Sequence, residues 1–132
     1  MEEGKGLVNE LNGLLESYLR DMEGDVVSII VSDANGLPIT YKATINLNVE
    51  SLSALCSLTI NRMQRISGEI KLGDVEYMII SYSGYVLYIE RIYGDLLLIV
   101  VASKDANMGL VMYVTGKYAE HISNLIKSTK GS

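Results

Sequence analysis

Cysteine and histidine, the residues of disulfides and of Cys/His metal sites, are almost missing from this chain. One cysteine, Cys56, and one histidine, His121, occur among its 132 residues, far apart in the sequence. A single cysteine cannot form an intrachain disulfide, and the two residues are too few for a Cys/His metal site. Cys56 falls among apolar helical positions, so we expect it to be a small buried hydrophobe. No metal or cofactor is expected.

Positive charge and long apolar runs are scarce as well. The chain has 11 Lys and Arg residues against 16 Asp and Glu, a net charge of −5 without a basic cluster. Nucleic acid is excluded as a partner because phosphate binding needs many basic side chains, and an anionic membrane surface is disfavoured for the same reason. The longest wholly apolar run, LLLIVVA at residues 96–102, is far shorter than the ~20 residues that cross a bilayer.

The N-terminal segment MEEGKGLVNEL carries acids where a signal peptide carries bases. We therefore expect a cytoplasmic protein without membrane insertion. A single domain is expected over residues 1–132, with its core at about 7–126 and a frayed polar tail at 128–132.

Catalytic groups are also few. Nucleophilic catalysis needs a base beside a serine or cysteine, but Cys56 lies at a core position and His121 lies beside Tyr118 and Ile122 near the chain end. The glycines do not follow a strand with the spacing of a phosphate-binding loop. We expect neither enzymatic activity nor nucleotide binding by this chain.

Three amphipathic helices are predicted from the spacing of apolar residues. Intervals of three and four indicate helices over residues 7–22, 49–67 and 106–126, and Asn48 is a suitable N-cap for the middle one. At 100° per residue, the apolar positions of the middle helix cover about 200°, whereas one core contact needs ~100°. The middle helix is therefore predicted to contact a second surface besides its own sheet.

Five strands are predicted between these helices. Residues 25–32 (DVVSIIVS) carry apolar side chains on both faces, with Val27 beside Ile29 and Val26 beside Ile30, so the sheet should be covered on both sides. The Asn35-Gly36 pair predicts a tight turn with two residues at positive φ, leading into a strand at 39–43. Short turns then separate strands at 75–82, 85–93 and 96–103, which form a meander.

The element order and two segments, DANGLPI at 33–39 and DANMGLV at 105–111, resemble the roadblock family. That family includes dynein light chains, small-GTPase regulators and scaffold subunits that hold GTPases on membranes. The resemblance covers roughly residues 7–126. It implies an α+β, profilin-like fold with a five-stranded antiparallel sheet in the order 2-1-5-4-3, the middle helix on one face and the terminal helices on the other.

The resemblance also implies a homodimer, formed by third strands edge to edge and middle helices side by side. A second copy would explain the wide apolar stripe on the middle helix. The dimer-interface residues implied in this way are Leu55, Leu58, Arg62, Val75, Tyr77, Ile79 and Ser81.

A cluster of polar side chains on the middle helix is the candidate site for a partner. The residues alone favour an ordinary solvated helix face, but the resemblance implies the platform on which a small Ras-like GTPase sits, one per dimer. The residues of this cluster are Ser53, Ser57, Asn61, Gln64 and Arg65. Short side chains at Ser53, Ala54 and Ser57 are expected to let the partner approach closely.

The implied function is a non-enzymatic regulator or scaffold of a GTPase, acting without an arginine finger, so neither Arg62 nor Arg65 is assigned a catalytic role. The alternative is a purely structural assembly subunit with no effect on nucleotide turnover. A weaker third possibility is a small-molecule sensor, since related sheet folds bind ligands. The sequence does not separate the first two.

Overall fold

Three α-helices and five strands follow one another in the predicted order in the computed structural model, which describes residues 2–130. Their bounds are α1 Glu2–Asp21, β1 Val26–Ser32, β2 Pro38–Ala43, α2 Val49–Ile70, β3 Tyr77–Ser81, β4 Tyr85–Arg91, β5 Leu97–Ser103 and α3 Met108–Lys130. The strands form one antiparallel sheet in the order β2-β1-β5-β4-β3. The predicted fold class and strand order are confirmed.

Two apolar cores lie on opposite faces of the sheet. One packs α1 and α3 against the sheet and includes Leu15, Tyr18, Leu98 and Ile122. The other packs α2 against the sheet and includes Cys56, Ile60 and Ile99. Because β1 and β5 contribute to both cores, they are buried on both faces, as the apolar pattern of β1 predicts.

The start of β1 departs from the predicted alternation. The pairing of β1 with β5 shifts between Val26 and Ser28. Val26 consequently packs in the core under α1 and α3 with Ile29, while Val27 packs against the α2 core with Ile30. The predicted pairs, Val27 with Ile29 and Val26 with Ile30, are wrong because a bulge reverses the faces that strict alternation assigns.

The β1–β2 turn is a hairpin, as predicted, but not the tight turn expected. Gly36 has a φ of 87°, whereas Asn35 is not at positive φ. The Asp33 carboxylate accepts hydrogen bonds from the backbone N–H groups of Asn35 and Leu37, both at 2.9 Å. An aspartate that bonds its own following backbone favours this wider loop over one with two left-handed residues.

Helix ends follow the sequence at some termini and extend past it at others. Asn48 caps α2, its side chain accepting from the Ser51 N–H at 3.1 Å. The helix continues beyond the predicted end at 67 to Ile70, and Lys71, in the left-handed region, is its C-cap. α3 likewise continues past 126 to Lys130. Of the predicted tail, residues 131 and 132 lie outside the described residues.

None of the described helices combines the length and the apolarity needed to cross a membrane. Within residues 2–130, no three His, Cys, Asp or Glu side chains are placed to hold a metal ion. Cys56 is buried, and burial raises the pKa of its thiol to about 12, so it packs as a neutral hydrophobe.

Candidate functional site

The outward side of α2 carries a row of exposed apolar side chains. Leu55 is 60% exposed and Leu58 55%, although both lie on a helix whose inner side is fully buried at Ile60. Met63, Ile66 and Ile70 follow at helical spacings of three and four from one another, and Leu72 lies past the helix end. We define this apolar patch by its residues: Leu55, Leu58, Met63, Ile66, Ile70 and Leu72. Several exposed apolar side chains on one side of a helix are typical of an interaction surface, unlike a single exposed leucine.

The edge strand β3 lies next to this helix in the chain and is open on one side. Within the described chain it pairs with β4 alone, and none of its residues is fully buried. The register and the bonds Arg91 N–H to Glu76 and Tyr82 N–H to Tyr85 place the ladder bonds at even-numbered positions. The backbone N–H and C=O groups of Tyr77, Ile79 and Ser81 therefore point to the open edge.

Two members of the predicted dimer-interface set have other bonds. Val75 lies before the strand, which begins at Tyr77, and its N–H donates to Gln64 Oε1 at 2.8 Å. Its predicted place in the strand is wrong because this bond holds its backbone against α2. The Ser81 hydroxyl accepts a hydrogen bond from Lys104, which leaves the Ser81 backbone to face the edge.

Ser53 and Ser57 are not on the surface. Ser53 is fully buried, and Ser57 is buried with its hydroxyl donating to the Ala34 carbonyl at 2.8 Å. The β1–β2 turn lies so close to α2 that a Cβ built on Gly36 would stand 2.9 Å from the Ala54 Cα. The predicted exposure of both serines is wrong, because the protein's own turn occupies the space that their small side chains leave.

Gln64 is half-buried and holds the connection between α2 and β3. Its Nε2 donates to Asp74 Oδ1 at 3.0 Å, and its Oε1 accepts the Val75 N–H. Both ends of the amide are thus bonded within the chain. The structure therefore assigns Gln64 to positioning the open edge, and it withdraws this side chain from the predicted partner surface.

Asn61, Arg62 and Arg65 remain exposed and border a cleft between α2 and the β1–β2 turn. Ala34 and Asn35 form the opposite wall. We call this the turn cleft; its lining residues are Ala34, Asn35, Ala54, Ser57, Leu58, Asn61, Arg62 and Arg65. The turn wall was missed by sequence reasoning, since the approach of Gly36 to α2 is a tertiary contact between residues about 20 positions apart that has no local sequence signal.

The groups with raised pKa values on the other face of the sheet do not adjoin this site. Burial raises the pKa of the Glu90 carboxyl, whose Oε1 accepts a hydrogen bond from the Tyr88 hydroxyl at 2.7 Å. Burial also raises the pKa of Tyr18, which bonds Thr115 at 2.6 Å under α1 and α3. These groups hold that layer together, and Glu90 also lines a separate open groove with Ser123 and Lys127.

A second groove follows the β2 edge between α1 and the start of α2. Val8, Tyr41 and Val49 are among the residues that line it. It is an open groove with both apolar and polar lining side chains, and Glu50 is its one charged lining residue. Because the groove is open, it does not enclose a small molecule as a ligand pocket does, and it gives no specific support to the small-molecule sensor.

Comparison with known proteins gives a family match and several likenesses of fold. Residues 9–129 match the family described as "Mitogen-activated protein kinase kinase 1 interacting". No curated protein matches the sequence significantly.

Three solved structures illustrate the likeness of fold. The structure "MglB with tetrameric arrangement" has 16% identity and a TM-score of 0.84, covering 93% of this chain and 92% of that chain. Myxococcus xanthus MglB has 18% identity and a TM-score of 0.83, covering 90% of this chain and 96% of that one. A Roadblock/LC7 domain from Streptomyces avermitilis has 15% identity and a TM-score of 0.75, covering 86% of this chain and 94% of that one. At these identities the likeness concerns the fold, and it confirms the predicted resemblance.

Proposed function

Since the chain belongs to the family described as Mitogen-activated protein kinase kinase 1 interacting and has the roadblock fold, we propose that it is a non-enzymatic homodimer that regulates a small Ras-like GTPase. The observation that carries the proposal is the combination of the apolar patch on α2 with the open edge of β3. Both features lack a partner within the described chain, and both match what the roadblock resemblance implies for a dimer.

The proposed dimer pairs the two β3 edges and sets the two α2 helices side by side. Leu55 and Leu58 then lose their exposure to water, and burying each side chain contributes roughly 1.5 to 3 kcal/mol. The outward N–H and C=O groups of Tyr77 and Ile79 gain partners from the second strand. Because a two-fold interface uses each patch twice, the apolar gain is doubled.

The proposed GTPase site is the turn cleft of the two protomers, with Asn61, Arg62 and Arg65 as its exposed polar members. Arg62, which the resemblance implies for the dimer interface, also lines this cleft. A two-fold axis places two such clefts on one side of the dimer, and a single asymmetric GTPase covers that axis once. The proposed stoichiometry is therefore two chains to one GTPase. The GTP-bound form is preferred, since the γ-phosphate orders the switch segments that a regulator contacts.

Regulation in this proposal does not use an arginine finger. The chain orders the GTPase's own switch residues, so a variant that lacks Arg65 loses binding rather than the chemical step at saturation. An arginine finger would instead be worth ~10³ or more in hydrolysis rate. The two cases differ in whether excess regulator restores the rate.

A second candidate function is a structural subunit that assembles other proteins without changing nucleotide turnover. The description of the matching family favours it, since it names an interaction with a kinase. The same dimer face and the same cleft would serve either function. What differs is the consequence of binding for GTP hydrolysis.

The test has two stages. The tagged chain is used to capture GTPases from its native cells in the presence of GDP or a non-hydrolysable GTP analogue. Each recovered GTPase is purified, and its single-turnover GTP hydrolysis is measured with and without excess chain. Faster hydrolysis supports regulation; binding with an unchanged rate supports the assembly subunit. If no GTPase is captured in either nucleotide state, neither regulation of a GTPase nor assembly around a GTPase is supported, and the proposal is excluded.

A further inference from the structure

Two arginines at the turn cleft have no carboxylate partner among the side chains that the structure describes. Arg62 and Arg65 lie three residues apart on α2 and are both exposed, so their side chains project from the same side of the helix. Among the described side chains one ion pair forms, between Lys42 Nζ and Glu16 Oε1 at 3.2 Å. Neither arginine forms that ion pair, although the chain has 16 acidic residues against 11 basic ones.

The lining of the turn cleft offers hydrogen-bond donors and no acid. Arg62 and Arg65 carry guanidinium groups, Asn35 and Asn61 carry amides, and none of the other lining residues is an aspartate or a glutamate. The Asn61 Nδ2 makes one long bond of 3.4 Å to Ser57 Oγ, so most of its donor capacity is unused within the chain. The cleft is therefore chemically complementary to an anion.

The wall opposite the arginines is held in place. Ser57 Oγ bonds the Ala34 carbonyl at 2.8 Å, and the Asp33 carboxylate accepts the N–H groups of Asn35 and Leu37. Gly36 is buried against the α2 backbone. Because the wall is ordered before any ligand arrives, binding at the cleft costs less conformational entropy than binding to a mobile loop.

We propose that the turn cleft binds the carboxylate of an aspartate or glutamate on the partner protein. This inference rests on the proposed function, because that partner is the GTPase. A guanidinium forms two parallel hydrogen bonds with a carboxylate, and the Asn61 amide in the same lining offers a further donor. The recognised element is thus an acidic side chain.

A protein carboxylate suits this position better than a phosphate group. Phosphates favour helix N-termini, where free backbone N–H groups and the positive end of the helix dipole meet them. Arg62 and Arg65 lie in the second half of α2, which ends at Ile70, toward the negative end of the dipole. The net charge of −5 also opposes approach to an anionic lipid surface.

The test uses charge reversal with a matched control. The variant R62E/R65E is compared with K117E/K127E, which makes the same change in charge on α3, in the opposite layer. Folding is checked by circular dichroism and dimerisation by light scattering. If R62E/R65E is not a folded dimer, the single variant Arg65→Glu replaces it, with Lys117→Glu as its control.

The measured quantity is the affinity of the dimer for the GTPase recovered above, loaded with a non-hydrolysable GTP analogue. We expect R62E/R65E to bind at least about tenfold more weakly, while K117E/K127E binds like the parent. Replacing acidic surface residues of the GTPase by lysine, one at a time, is expected to restore binding to the Arg65→Glu variant at one position.

Four results would overturn the inference. Equal affinity of R62E/R65E and the parent would leave the proposed function standing and place the contact elsewhere. Equal losses in both double variants would indicate long-range charge rather than a cleft. Arginine-dependent binding of the parent to phosphatidylglycerol vesicles, whose only anionic group is the phosphate, would assign the cleft to lipid phosphate. If the parent binds no GTPase at all, the proposed function fails together with the inference.

Discussion

Gly36 sets the distance between the β1–β2 turn and α2. Its φ of 87° and the 2.9 Å gap from a built Cβ to the Ala54 Cα both exclude a larger residue. Gly36→Ala is therefore expected to lower the free energy of unfolding by about 2 kcal/mol or more, from the left-handed conformation and the clash together. Urea unfolding followed by circular dichroism measures this.

Gly13 is the matched control for that substitution. It lies within α1, and a Cβ built there meets nothing within 4 Å. Gly13→Ala is expected to raise stability by roughly 0.5 to 1 kcal/mol, because alanine loses less conformational entropy in a helix. A Gly36→Ala protein as stable as the parent would mean that the turn does not pack on α2 as described.

Glu90 gives the protein a pH dependence of stability whose sign follows from its raised pKa. Burial of the carboxyl raises its pKa, an effect that the Tyr88 hydrogen bond only partly offsets. The folded state therefore holds the proton more tightly than the unfolded chain, whose glutamate titrates near the ordinary ~4.3. The contribution of Glu90 is most favourable below that pH and is lost as the pH rises through the folded-state pKa.

Glu90→Gln is accordingly expected to be more stable than the parent near neutral pH and similar to it at about pH 3.5, below the unfolded pKa. The comparison is made by urea unfolding at the two pH values. Glu120→Gln, an exposed acid on α3, serves as the control and should show no difference. A destabilised Glu90→Gln at neutral pH would show that the ionised carboxylate has a favourable partner.

The sequence predicts the burial or exposure of a single side chain where the spacing of apolar residues reflects it directly. The exposure of Leu55 and Leu58 follows from a stripe too wide for one contact, and Cys56 is buried as its position indicates. The predicted exposure of Ser53 and Ser57 is wrong because a serine on the polar side of a helix can face either water or a covering turn. Which of the two occurs depends on where the turn folds, and the helix sequence does not contain that information.

The backbone directions of β3 show at which positions proline removes a hydrogen bond at the open edge and spares those within the sheet. The N–H of Ile79 points away from β4, so Ile79→Pro removes a donor from the dimer ladder and leaves the β3–β4 bonds intact. We expect a folded domain with a weakened dimer, checked by circular dichroism and then by sedimentation. A folded variant that stays fully dimeric at micromolar concentration would exclude pairing through β3.

Ile80→Pro is the control at the neighbouring position. The Ile80 N–H points toward β4, where proline would break an internal ladder bond. This variant is expected to lose stability itself, as seen by urea unfolding. Comparison of the two proline variants therefore distinguishes lost pairing at the open edge from lost hydrogen bonds within the sheet.

The apolar patch on α2 supplies the other half of the proposed dimer. Leu58→Asp replaces a side chain that is 55% exposed in the single chain, so the fold should tolerate the charge. Because each dimer buries two copies, the dissociation constant should rise on the order of 10²-fold or more. Leu110→Asp on α3, also an exposed leucine, should leave dimerisation unchanged in the same sedimentation experiment.

Elements were the most predictable part of this protein. Helix and strand order, the Asn48 cap and the burial of β1 on both faces follow from patterns within ten or so residues. The bulge after Val26 and the form of the β1–β2 turn were not predicted. Both depend on pairing between strands, and one extra residue in a strand leaves no mark on its composition.

The whole molecule carries an asymmetry between its two layers. α1 and α3 cover one face of the sheet together, while α2 alone covers the other and leaves its outer side apolar. The strand with the open edge, β3, is the element that follows α2 in the sequence. In the dimer that we propose, a second copy satisfies both features at once and brings two turn clefts to one side for a partner.

The mass of the parent protein in solution tests this account most directly. Multi-angle light scattering at about 10 µM, a concentration above the dissociation constants of most specific dimers, is expected to give twice the 14.5 kDa of one chain. The same measurement on Leu58→Asp is expected to shift toward 14.5 kDa. A parent protein that is a monomer at this concentration would contradict the account, because the apolar patch and the β3 edge would then remain exposed without a second copy.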